Sequence, residues 1–76
     1  MEVYESHLGG IYFNDTELDY EYLYCDQCGD SDSHLGHANT WKDVLYMITD
    51  EDGWCSYSEG YLMDLKEEFE QLCETY

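Results

Sequence analysis

Residues 16–24, T-E-L-D-Y-E-Y-L-Y, alternate almost throughout: Glu17, Asp19 and Glu21 fall on one parity, and Leu18, Tyr20, Tyr22 and Tyr24 on the other. Period two is the mark of a strand with one covered and one wet face, so 16–25 reads as the principal strand. Weaker strand signals surround it. Residues 2–7 (EVYESH) read as a strand, Gly9-Gly10 marks a turn, and Ile11-Tyr12-Phe13 is a short run of β-formers. Asn14-Asp15 marks a second turn, residues 25–33 form a turn-rich loop, and 33–38 (SHLGHA) read as another strand. From residue 39 the period becomes helical. Asn39 or Thr40 can cap a helix, Thr40 and Asp43 have capping-box spacing, and Trp41, Val44, Leu45 and Ile48 recur on one face. Residues 50–53 (DEDG) end that helix. Ser56 and Glu59 repeat the capping-box spacing and open a longer helix, in which Tyr61, Leu62, Leu65, Phe69, Leu72 and Tyr76 make the apolar stripe. The expected fold is α+β. A small antiparallel sheet of three or four strands within 2–38 precedes helices at about 40–49 and 57–74, packed on one face of it in a single domain, 1–76.

A chain of this size buries only about 60% of the surface its unfolded form exposes, so a staple or a partner helps it. The opening MEVYESHLGG lacks a basic region followed by an apolar run, and no apolar run is long enough to span a bilayer. A cytoplasmic protein is the expectation.

Charge changes the picture most. Nineteen acids face only Lys42 and Lys66, for a formal net charge of −17, where a small domain ordinarily carries about 2–8. The chain is nonetheless not of the disordered acidic kind, because 17% of it is aromatic, including nine Tyr, and it has no Pro. Such a potential repels nucleic acid and anionic lipid, so direct nucleic-acid binding and membrane association are both excluded as expectations. The expected partner is a basic protein surface.

On a strand, alternate residues lie about 6.6 Å apart, a spacing comparable to that of phosphates along a nucleic-acid strand. Glu17, Asp19 and Glu21 would then present a row of anions. Asp64, Glu67, Glu70 and Glu74 occupy the polar surface of the last helix, where neighbours three or four apart lie about 5–6 Å from one another. The plainer reading of either row is a solvated face. Of the tyrosines, Tyr4, Tyr12, Tyr20, Tyr22 and Tyr24 share the even positions of the expected sheet and would face the helices. Tyr57 and Tyr76 are the better candidates for exposed contacts, and Trp41 and Trp54 for closing the core. A Tyr-rich sheet could also self-assemble, which leaves monomer or dimer open.

Cys25-x2-Cys28-x5-His34-x2-His37 gathers four nitrogen and sulfur ligands within a short stretch, enough for a structural zinc ion. Two features oppose it. On a regular strand His34 and His37 point to opposite faces, and the spacing fits no common zinc motif. Cys55 and Cys73 are alternative ligands, and free thiols in a reducing compartment are the alternative state. No cofactor is required by the rest of the sequence. A redox role for the CxxC pair is disfavoured, since Asp26, Asp30 and Asp32 should raise its thiol pKa values. Asp50, Asp52, Gly53 and Glu59 match part of a calcium-binding helix–loop–helix, but Ile48 stands where its first oxygen ligand belongs. His7 stands alone and reads as a surface residue. There is no phosphate loop, nucleophile elbow or H-E-x-x-H, and almost no cation to stabilise an oxyanion, so no enzymatic activity is expected.

In length, acidity and α+β organisation the whole chain resembles the small acidic inhibitors that bacteriophages encode against host defence and DNA-processing enzymes. These include DNA-mimicking inhibitors of uracil-DNA glycosylase and anti-CRISPR proteins. The phrase Y24-C-D-Q-C-G-D-S-D32 also resembles stretches of short phage proteins of Gram-positive bacteria. The resemblance implies a stoichiometric inhibitor in the host bacterial cytoplasm. It would bind the nucleic-acid groove of a nuclease or other nucleic-acid-binding protein, with no chemistry of its own. A zinc-stapled interaction adaptor, its acidic surface serving solubility, is the alternative.

Overall fold

The computed structural model describes residues 1–75. The chain is α+β and forms two compact units, one from Met1 to His37 and one from Ala38 onward. In the first unit, β1 (Glu2–Glu5), β2 (Ile11–Asn14) and β5 (Ser33–His37) form an antiparallel sheet in the order β2-β1-β5. A five-residue tip joins β1 to β2, with Ser6 N–H donating to the Gly10 carbonyl and Gly9 N–H to that of Ser6. As the central strand, β1 buries consecutive residues, Val3 and Tyr4, one on each face. Tyr4 lies between its register partners. Its ring stacks on Tyr12 of β2 at 5.3 Å and on His34 of β5 at 4.9 Å.

The β1–β5 pairing is irregular. Val3 opposes Gly36 and Tyr4 opposes His34, so Leu35 is the extra residue of a bulge. Gly36 has φ of 145°, a left-handed conformation that an L side chain would strain, and it lets the strand make this step.

Residues 16–25 are not the expected strand. Residues 15–19 are irregular, α1 is a single helical turn (Tyr20–Leu23), and only Tyr24–Cys25 is extended, as β3 paired with β4 (Asp30–Ser31). Three causes are visible. Both edges of the central strand are already occupied by β2 and β5. Leu18 N–H donates to the Tyr4 hydroxyl at 2.7 Å rather than to a ladder, which ties this segment to the sheet's tyrosine face. Tyr20 and Tyr24, four residues apart, stack at 5.7 Å, as on a helical turn; a strand would separate them by about 13 Å. Alternation of acid and tyrosine thus accompanies a turn, and Tyr20, Tyr22 and Tyr24 are exposed rather than turned inward.

In the second unit, α2 (Trp41–Ile48) begins at a complete capping box. Asp43 N–H donates to Thr40 Oγ1, and the Asp43 carboxylate accepts from Thr40 N–H. The following turn closes on Asp50, whose carboxylate accepts the N–H groups of Asp52 and Trp54. The long helix α3 (Glu59–Thr75) starts two residues later than its sequence signal. Ser58, not Ser56, accepts the Tyr61 N–H. Ala38, Val44, Leu65 and Phe69 are the buried apolar residues here, with the Trp41 ring tilted against Phe69 at 6.3 Å. Trp54 is 70% exposed and closes no core. Tyr57 is half-buried and stacked on Tyr61, and Tyr76 lies outside the described residues. Among the described residues no helix is long and apolar enough to cross a membrane.

Candidate functional site

Two regions hold the residues that the sequence singles out. The first is the surface of α3. Asp64, Glu67, Glu70 and Glu74 are all exposed along it. At 1.5 Å per residue these positions span about 15 Å of helix. Steps of three and four residues place Glu67, Glu70 and Glu74 on one stripe, in line with Met63, which is 71% exposed. This stripe lies opposite Leu65, Phe69 and Leu72, so the apolar face and the anionic face of α3 separate cleanly. The one cation of α3, Lys66, lines a groove of about 340 Å³ together with Trp41, Leu45, Glu59, Leu62 and Met63. The exposure of Met63 is not marked in the sequence, where it reads as one more apolar residue of the helix.

The other expected row does not form. Glu17 lies in the irregular segment, with a carboxylate oxygen 3.9 Å from His34 Nδ1. Asp19 is the N-cap residue of α1, and Glu21 sits in that helix's first turn. All three are exposed, but they lack the two-residue pitch of a strand.

The second region joins the β1–β2 tip to the β3–β4 hairpin. Asp32 follows β4 directly, and its N–H donates to the Leu23 carbonyl. The Asp32 carboxylate is satisfied three times. Oδ1 accepts His7 N–H at 2.9 Å and lies 2.6 Å from His7 Nδ1, while Oδ2 accepts the Tyr12 hydroxyl at 2.5 Å. The hydrogen bonds from Tyr12 and His7 hold Asp32 below the usual carboxylate range. The same carboxylate holds the His7 imidazole above its ordinary value, against the opposing effect of desolvation. Burial, with Asp32 adding to it, pushes the Tyr12 phenol upward.

Beside this network the chain turns through C25-D-Q-C-G29. Gly29 N–H donates to the Cys25 carbonyl, and Gly29 adopts φ of 71°. The turn brings the two thiols together. A hydrogen bond from the Cys28 thiol, followed by the backbone N–H groups of Cys28 and Gln27, holds Cys25 below the usual thiol range. Cys28, bonded to Cys25 and near Asp30, is held above it. The expectation that the neighbouring aspartates raise both thiols therefore fails at Cys25, where the Cys28 thiol and then the backbone donors act in the opposite direction. A His7 ring nitrogen, Cys25 Sγ and Cys28 Sγ lie within 4.8 Å of one another.

His34 and His37 are not part of that group. Register sets both beside the carboxylate of Glu2. His34 Nε2 lies 3.0 Å from one oxygen and His37 Nδ1 meets the other. The Leu35 bulge changes the parity of β5, so the two histidines converge on Glu2 instead of pointing to opposite faces. His7, in turn, is no isolated surface residue, since its side chain is 14% exposed. Only its partner Asp32, 25 positions away, reveals its place, and no local spacing announces that pairing.

Comparison with protein-family models, curated proteins and solved structures gives no match to this chain.

Proposed function

We propose that the protein is a stoichiometric binding protein, without catalysis of its own, that imitates nucleic-acid charge and occupies the basic groove of a nucleic-acid-binding protein or nuclease. One observation carries this reading: α3 sets Glu67, Glu70 and Glu74 along one exposed stripe, with Asp64 exposed beside it, on a chain of net charge −17. An ordered helix holds its carboxylates without the entropy a flexible acidic tail would lose on docking. Met63, exposed on the same stripe, adds apolar contact area to it. With the Glu17–Asp19–Glu21 row absent, α3 is the contact face. Host defence and DNA-processing enzymes of a bacterial cell are the target class that fits the resemblance of the chain to phage inhibitors.

The test is capture from bacterial lysate on the immobilised protein, with duplex DNA or RNA added as competitor. Retained proteins should bind nucleic acid, leave the matrix when the competitor is added, and fail to bind a variant carrying Glu67→Lys, Glu70→Lys and Glu74→Lys whose helical circular dichroism is intact. Retention indifferent to both the competitor and the triple reversal would exclude the reading.

The His7–Cys25–Cys28 group favours a second reading, an interaction adaptor stapled by metal whose acidic surface serves solubility. Under that reading the triple reversal leaves partner binding intact and loss of the cysteines abolishes it.

A further inference from the structure

The first unit has a thin core. Val3, Tyr4 and Ile11 are its buried apolar residues, and a body of this size ordinarily needs a staple. The region that ties its pieces together is the one around Asp32, and one side chain there is unfinished. His7 Nδ1 faces the Asp32 carboxylate, so in the neutral imidazole the proton sits on Nδ1 and Nε2 carries the lone pair. That Nε2 is buried and has no hydrogen-bond partner. An orphaned buried acceptor is costly unless something occupies it.

From this geometry we propose that Cys25 Sγ, Cys28 Sγ and His7 Nε2 are three protein ligands of a zinc site, with Asp32 orienting His7 through Nδ1 from outside the coordination sphere. Thiolate and imidazole together select a thiophilic cation over magnesium or calcium. In a tetrahedral zinc site the ligand atoms stand about 3.5–3.8 Å apart, given metal bonds of about 2.0–2.3 Å. A His7 ring nitrogen and the two sulfurs already lie within 4.8 Å of one another, and Cys28 is exposed. Both thiols release their protons on binding. A carboxylate behind a ligating histidine is the usual outer partner of such a nitrogen. Glycine at position 29 allows the tight turn that brings both sulfurs to the same side. The fourth position is left for water or a ligand from a partner. Bound there, the cation would close the β1–β2 tip onto the β3–β4 hairpin.

This site is independent of the charge-mimicry reading, because the anionic stripe of α3 takes no part in it. The test uses the full chain, stripped with a chelator under reducing conditions and titrated with Co²⁺ and then Zn²⁺ alone. One equivalent of Co²⁺ should give the intense visible bands of a tetrahedral sulfur-containing site, displaced by one equivalent of Zn²⁺. Cys28→Ser should abolish those bands, while His7→Gln should weaken and shift them. His34→Ala together with His37→Ala should leave them unchanged. Asp32→Asn should weaken zinc affinity about 10–100-fold. Should a variant fail to fold, the wild-type stoichiometry and spectrum still decide the matter. Absence of tetrahedral bands in the folded wild type, or bands that survive His7→Gln and vanish with the His34/His37 pair, would overturn the proposal.

Discussion

The Tyr4 hydroxyl accepts the Leu18 N–H while its ring lies between Tyr12 and His34. Removing that hydroxyl leaves an amide without its acceptor and keeps the ring stack. Tyr4→Phe should therefore cost about 1–2 kcal/mol in chemical denaturation, with little change in the sheet's circular dichroism. Glu2 gives a prediction that depends on pH. The hydrogen bond from His37, then that from His34, holds its carboxyl below the ordinary value of 4.5 against the opposing effect of desolvation. A depressed carboxyl stabilises the fold above its unfolded value and loses that contribution as pH falls through the folded one. Glu2→Gln should thus be less stable than the parent near pH 6, and the two should converge in acid as pH falls through the folded value of the carboxyl, which lies below 4.5. A difference that persists unchanged into acid would mean that the carboxylate is not what the mutation removes. Asp32 falls under the same rule, with three hydrogen bonds in place of two.

Helix α2 owes its start to the Thr40–Asp43 box. Thr40→Ala should destabilise by about 1 kcal/mol and lower the thermal midpoint by about 4–8 °C, measured by helical ellipticity. This box was readable because capping is local, as was the apolar stripe of α3, where Leu65 and Phe69 are indeed buried. The weak strands 2–7 and 33–38 were also readable, for β-formers bounded by turn residues leave a clear trace. Failure came where distant pairing decides. The alternation at 16–24 promised a strand, but β1 had no free edge to offer it, and the Tyr4 hydroxyl and the Tyr20–Tyr24 stack fixed a turn instead. Of the candidate metal ligands, the Cys25–Cys28 pair stood out by its spacing. Spacing alone groups His34 and His37 with it, because nothing in the sequence marks the Leu35 bulge that sends them to Glu2. His7 was missed for the converse reason. Its neighbours Cys25 and Asp32 are remote in sequence and meet it only through the fold.

A body with nineteen acids and two lysines folds against its own charge. Screening relieves that repulsion, with a Debye length falling from about 30 Å at 0.01 M to about 10 Å at 0.1 M salt. The thermal midpoint should therefore rise over this interval, and more steeply than in a variant carrying Glu67→Lys, Glu70→Lys and Glu74→Lys. A flat or falling midpoint would show that the acids are too dispersed to repel one another measurably. The same field extends beyond the surface and would draw in a cationic groove before any contact forms. Binding would then depend on charge first in its association rate. The decisive measurement is the association rate constant between this protein and a captured nucleic-acid-binding partner as ionic strength is raised. A fall of at least about tenfold between 0.05 and 0.5 M salt, largely lost in the α3 triple reversal, is expected. A rate constant that stays level across that range would contradict the account.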